Sequence, residues 1–200
     1  VRPDDETLRL IVDAARESFL SQSFADVSMS AIARRAGVST KTMYRLVPTK
    51  ADLFRMLIAA RISRFVGTLD MGSLDHLAPV EALTRLLTSY GELALGEEAV
   101  AMYRLAITES DRFPEIASYL YEGAIGPATG ALDDWLYRQC GQGKLKLSDP
   151  RFASGVLRGM LTMEPQRATL LGQRPLPEPE QIALRARACA ELFLKGCSAD

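Results

Sequence analysis

Apolar residues recur along this chain at intervals of three and four, with no stretch of strict alternation, so the pattern predicts helices throughout. Leu8, Ile11, Val12, Ala15 and Phe19 make one stripe over residues 4–21, with Asp4 or Asp5 available as its cap. Met29, Ile32, Ala33 and Ala36 make a second, shorter stripe that leaves Ser30, Arg34 and Arg35 on the other side. Ser28 is placed to cap that helix, because a hydroxyl ahead of a helical run accepts a backbone N–H that otherwise has no partner. Gly37 ends it, since glycine enters the left-handed conformation of a C-terminal cap without steric penalty. Val38 follows as an apolar lock, and Ser39 caps the next helix, Thr40 to about Val47, with Met43 and Leu46 as anchors. Pro48 stops that helix, and Thr49 with Asp52 three residues on restarts the chain as a helix in the manner of a capping box.

The restarted helix continues through Leu53, Phe54, Leu57, Ile58, Ile62, Phe65 and Val66 until Gly67 to Gly72 loosens the pattern. Pro79 opens a helix to about Leu95, Gly96 breaks it, and Glu97 to Ser110 forms the next. Pro114 opens another, which the glycines and proline between Gly123 and Gly130 are expected to interrupt before it resumes through Leu132, Trp135, Leu136 and Tyr137. Asp149-Pro150 gives cap and first-turn proline in the right order for a helix carrying Phe152, Val156, Leu157, Met160, Leu161 and Met163, with Pro165 as its kink. After the loop RPLPEPE a last helix runs from about Glu180 to Gly196. The expected fold is all-α. Residues 1–50 form an N-terminal three-helix helix-turn-helix domain, and residues 51–200 form a C-terminal helical domain.

Charge sharpens this division. The net charge of the 200 residues is only -1, but Ser28 to Arg64 holds eight basic residues against Asp52 alone, whereas from Phe65 onward 13 basic residues meet 18 acidic ones. A basic head on an acidic body is the electrostatic footprint of a DNA reader. Hydrophobic residues make up 48%, enough for a sizeable core, and no apolar run approaches the roughly 18 residues of a membrane span. Cys140, Cys189 and Cys197 fit neither metal-ligand spacing nor a disulfide framework, which points to a reducing cytoplasm.

Catalysis finds no foothold. His76 is the only histidine, no Gly-rich phosphate loop occurs, and Asp133 and Asp134 are adjacent and so point apart on a helix. No catalytic residue, metal or cofactor is expected. The N-terminal head instead offers donors for DNA: Thr40, Lys41 and Arg45 for base edges, Ser28, Tyr44 and Lys50 for phosphate, Thr42 for either, and Ser39 at the start of the second helix. Tyr90, Met102, Tyr103, Phe113, Tyr119, Trp135, Met160 and Met163 are candidates for an apolar effector pocket, since aromatic and Met side chains line adaptable pockets as well as ordinary cores.

The string AIARRAGVSTKTMYRLVPTKADLF resembles the DNA-binding region of the TetR/AcrR transcriptional regulators, with Ile32-Ala33, Ala36 to Ser39, Thr42, Tyr44 and Lys50 in the family's order and spacing. Ser23 stands where the family commonly has Gly, and Leu46 and Val47 replace its usual polar or aromatic residue and Phe. The substitution at Leu46 implies the loss of one phosphate contact. The second half resembles the AefR-like C-terminal domain in YRLAITESDRFPEIASYLYEGAIGPATGALDDWL and in the closing ELFLKG. That resemblance implies a ligand-binding and dimerisation domain, whose last two helices pair with those of a second chain in a four-helix bundle. The small residues Ala153, Ser154, Gly155, Gly159, Ala186, Ala188 and Ala190 are compatible with close helix approach. The expectation is therefore a homodimeric repressor on a pseudo-palindromic operator, released by a small hydrophobic or aromatic effector. The alternative is a protein-interaction or ligand-carrier module on the same fold without operator function.

Overall fold

The structure, a computed structural model, describes residues 3–197. Among these the regular elements are helices: α1 Pro3–Ser21, α2 Met29–Arg35, α3 Thr40–Leu46, α4 Lys50–Thr68, α5 Met71–Leu74, α6 Pro79–Leu95, α7 Glu97–Glu109, α8 Pro114–Leu120, α9 Gly126–Gly141, α10 Pro150–Leu170 and α11 Pro179–Cys197. No helix is long and apolar enough to cross a membrane among the described residues.

Most of these boundaries follow from local chemistry. Ser28 Oγ accepts the Ala31 N–H at 3.3 Å, Ser39 Oγ accepts the Thr42 N–H at 3.0 Å, and Asp149 Oδ1 accepts the N–H groups of Arg151 and Phe152. Thr49 Oγ1 accepts the Asp52 N–H at 3.0 Å and donates to the Asp52 carboxylate at 2.7 Å, so Thr49 caps α4 as expected, while Asp52 answers the Thr49 hydroxyl where a full capping box would take its backbone N–H. Pro79, Pro114 and Pro150 each open their helix, where a missing N–H costs nothing.

Four expectations change. Asp4 and Asp5 lie inside the first turn of α1, and Asp4 holds a distant arginine rather than capping. Asp70 caps an unforeseen short helix, α5, through the Ser73 N–H. The expected interruption at Gly123–Gly130 is absent, because the chain passes from α8 through one π-helical turn, Tyr121–Ile125, directly into α9. A wider turn absorbs the extra residue while the backbone stays hydrogen-bonded, so the glycines do not break the helix. Gly196 lies within α11, which continues to Cys197.

The chain divides into two compact units, Val1–Arg64 with Ala101–Pro127 and Phe65–Val100 with Ala128–Asp200. A linear boundary at residue 50 is thus a division of sequence, and packing interleaves the two halves. In the first unit α1, α2 and α3 pack on one another, and the rings of Phe19, Phe24 and Phe54 meet at centroid distances between 5.5 and 6.4 Å. In the second unit α6 packs most extensively on α11. Its core holds Leu83 and Leu87 of α6, Trp135 and Leu136 of α9, Leu157 and Leu161 of α10, and Ala186 and Ala190 of α11.

Candidate nucleic-acid interface

The turn between α2 and α3 is closed twice over. Gly37, at φ +71°, lets its own N–H reach Arg34 O at 3.2 Å while the Val38 N–H reaches Ala33 O at 3.0 Å. This pair of bonds satisfies the last carbonyls of α2 and fixes the direction in which α3 departs. Beneath α3, Met43 and Val47 are wholly buried, and Ile32 and Ala33 of α2 are 1% exposed. Leu46, expected as an anchor, is only half-buried, and Val47 does that packing instead. With that side fixed, Thr40, Lys41, Tyr44 and Arg45 fall on the exposed face, at i, i+1, i+4 and i+5. Tyr44 is a large ring left 49% exposed. The exposed Ser28 and Ser39 use their hydroxyls as caps, and the half-buried Thr42 places its Oγ1 2.9 Å from Ser39 Oγ.

Two cations of the candidate set are already engaged. The Arg45 guanidinium donates to both carboxylate oxygens of Asp4, at 3.0 and 3.2 Å. That hydrogen bonding holds the Asp4 carboxyl below the usual carboxylate range and raises the Arg45 guanidinium. Lys50 turns inward: its Nζ donates to Phe24 O at 2.7 Å and Ala25 O at 2.8 Å and lies 5.2 Å from the Phe24 ring centroid. Burial pushes its pKa down, against the opposing pull of Asp26 and Glu109. The candidate phosphate ligand is thus, in this structure, a strut between α4 and the loop ahead of α2.

Sequence reading missed Asp4 and Glu109 as parts of this region. Asp4 meets Arg45 across 41 residues, and Glu109 accepts the Phe24 N–H across 85, at 3.1 Å. Neither leaves a local signal.

The eight effector candidates divide evenly between the two units. Met102, Tyr103, Phe113 and Tyr119 belong to the first unit; Tyr90, Trp135, Met160 and Met163 belong to the second. Phe113 stacks at a tilt on Phe24, 4.8 Å between centroids, and Tyr119 lies 5.9 Å from the Arg55 guanidinium. Met102 is buried, Trp135 is core, and Met163 is 60% exposed. Tyr103 is half-buried, as are Tyr90 and Met160, which pack against the second unit's core. A cavity of about 390 Å³ in the second unit is lined instead by Leu95, Pro165, Leu176, Ile182 and Arg185, among others.

These elements define a helix-turn-helix protein with a helical second unit. The model of bacterial regulatory proteins of the tetR family matches residues 11–57, and that of the AefR-like transcriptional repressor C-terminal domain matches residues 81–196. The chain belongs to the TetR family of transcriptional regulators, a family of regulators rather than of enzymes. The flavonoid-responsive regulator FrrA is 30% identical, with a TM-score of 0.75 over 96% of this chain and 97% of its own. A structure assigned to the TetR family from Mesorhizobium loti is 23% identical, with a TM-score of 0.88 over the whole of both chains. FadR from Bacillus subtilis, solved with stearoyl-CoA, is 21% identical, with a TM-score of 0.72 over 94% of this chain and 98% of its own. No curated protein sequence matches.

Proposed function

We propose that the chain is a cytoplasmic repressor that reads a pseudo-palindromic operator as a homodimer and is released by a small hydrophobic or aromatic effector. The observation that carries this reading is the stripe of Thr40, Lys41, Tyr44 and Arg45, held outward by the burial of Met43 and Val47. A helix fixed from beneath presents its donors in a defined register, which bidentate recognition of base edges requires. Thr40, Lys41 and Arg45 take base edges; Tyr44 takes phosphate, with Ser28, Ser39 and Thr42 beside it. Lys50 serves by holding the loop at Phe24 and Ala25. Functionally, residues 1–50 are the reading head and residues 51–200 the effector and dimer part.

Two helices reading successive major grooves need two copies of the chain. Support for pairing through α10 and α11 comes from apolar side chains left in solvent: Phe152 (71%), Val156 and Met163 on α10, with Leu184 (73%) and Leu192 on α11. Residues 152, 156 and 163 share one face of α10, and 184, 188 and 192 share one face of α11. Apolar faces of this extent mark an interface, and a twofold interface presents the same face from both subunits. The hydrophobic class of effector is supported by the flavonoid response of FrrA and by the stearoyl-CoA in FadR.

The test is fluorescence anisotropy on labelled DNA from upstream of the chain's own gene, against scrambled DNA at several salt concentrations. A preference on the order of 10³ or more, lost in Lys41→Ala and weakened by salt, is the expected result. Equal weak binding to both DNAs by a folded dimer, with no sequence recovered in a genome-wide binding selection, overturns it.

A further inference from the structure

Phe24, in the loop between α1 and α2, is 3% exposed, and beyond its ring contacts with Phe19 and Phe54 it is met by side chains from α4, α7 and the residue ahead of α8. Its N–H donates to Glu109 Oε1 of α7 at 3.1 Å, and its carbonyl accepts from Lys50 Nζ of α4 at 2.7 Å. Its ring lies 4.8 Å from Phe113, the residue ahead of α8. Glu109 is itself anchored, because its backbone carbonyl takes the N–H of Phe113 at 2.7 Å and of Arg112 at 3.1 Å. A buried backbone N–H and C=O that both depend on side chains have no ladder to hold them when those side chains go. Four residues after Phe24, Ser28 caps α2, and α2 carries α3 through the Gly37 turn.

We propose that Glu109 and Phe113, outside the helix-turn-helix in sequence, are positioning residues for DNA reading: by fixing Phe24 they set the entry of α2 and thus the pose of α3. The inference rests on the operator reading above. Its chemistry predicts a particular failure. Base edges are read by short, directional bonds, whereas phosphate attraction tolerates displacement. Loss of the carboxylate therefore lowers operator affinity and leaves the electrostatic background in place.

The experiment compares wild type, Glu109→Ala, Glu109→Gln and Phe113→Leu on operator and scrambled DNA, with oligomeric state and thermal unfolding recorded for each. Wild type supplies the control for the operator reading, since failure to prefer any operator sinks that reading before any variant is compared. Given a wild-type preference, Glu109→Ala loses about tenfold or more in operator affinity while its affinity for scrambled DNA and its salt slope stay at the wild-type value. Glu109→Gln keeps an acceptor oxygen for the Phe24 N–H and recovers most of the loss; Phe113→Leu falls between. In DNA-free protein, hydrogen exchange at the Phe24 amide speeds up in Glu109→Ala and not in Glu109→Gln. Wild-type operator affinity in Glu109→Ala overturns the proposal. So does an equal loss on both DNAs, or a failure of the glutamine variant to recover. Were Glu109→Ala unable to fold, Phe113→Leu and Glu109→Gln would carry the same comparison.

Discussion

Gly91 tests the packing of the second unit at a single atom. It lies buried in α6 where that helix meets α11, and a Cβ built there would stand 2.6 Å from Cγ2 of Ile182 and 3.5 Å from Cδ2 of Leu161. Ile182 is 5% exposed and β-branched, so its methyl has little freedom to turn aside. Overpacking of this kind costs about 1–3 kcal/mol. Against it stands the gain of roughly 0.5–1 kcal/mol from replacing glycine in a helix interior. Gly91→Ala is therefore expected to destabilise by about 1–2 kcal/mol, a fall in Tm of roughly 2–8 °C for a chain of this size. Gly130→Ala in α9 is the control, because nothing lies within 4 Å of its Cβ position. There only the helix gain acts, and Tm should rise. Differential scanning calorimetry on both variants measures the contrast. Combining Gly91→Ala with Ile182→Ala removes the opposing methyl, so the double-mutant cycle should show a favourable coupling of about 1–3 kcal/mol. A Gly91→Ala protein as stable as wild type, or additivity in the cycle, refutes the close approach of α6 and α11.

Ser39→Ala removes the cap of α3 and should cost about 1 kcal/mol in thermal unfolding, with operator binding weakened as the first turn frays. Asp4→Asn removes the carboxylate opposing Arg45, so scrambled DNA should bind more tightly and with a steeper salt dependence in anisotropy titrations. The Asp4 pKa is depressed in the folded chain. The pair's contribution is therefore present above the ordinary aspartate pKa and lost as pH falls through the lower folded value; NMR titration should find that value restored upward in Arg45→Ala. Leu184→Glu with Leu192→Glu should leave helicity intact, since both side chains are in solvent, and shift the oligomer to monomer by analytical ultracentrifugation. Cys189 is buried and its thiol is pushed above the usual value, so it should resist alkylation at neutral pH until the chain is unfolded.

What the sequence makes legible here is what neighbouring residues decide among themselves. Caps at Ser28, Ser39, Thr49 and Asp149, the glycine turn at Gly37 and the opening prolines are local bargains of a hydroxyl, a carboxylate or a ring with the next few N–H groups. The TetR motif sits in that local register, so family and fold follow from it. The π-turn at Tyr121–Ile125 was hidden, because glycine and proline signal a break whether or not a wider turn carries the helix past them. Periodicity likewise finds a stripe without naming its partner. In the last helix Leu184 and Leu192 face solvent while their equally apolar neighbours Ile182 and Phe193 are buried. For the effector residues the limit is compositional. Aromatic and Met side chains suit any apolar surroundings, and in this chain Phe113 joins the Phe24 cluster, Trp135 sits in the core of the second unit and Met163 faces solvent.

The two family models and the packing divide the chain in different places, and the difference carries physical content. Residues 101–127 fall inside the C-terminal family match at 81–196, yet they pack in one unit with the helix-turn-helix. Phe113 covers Phe24, Glu109 holds its N–H, and the Cβ position of Gly123 lies 3.5 Å from Cγ2 of Ile58, which is 1% exposed. A fragment ending near residue 57 would therefore uncover the Phe24 ring and leave a buried N–H without its acceptor. The head is completed by a stretch of chain that arrives only after α6 and the start of α7, so its fold carries the state of those later residues in its own contacts. Those contacts on Phe24 are one hydrogen bond, to Glu109 at the end of α7, and one ring contact, from Phe113 ahead of α8.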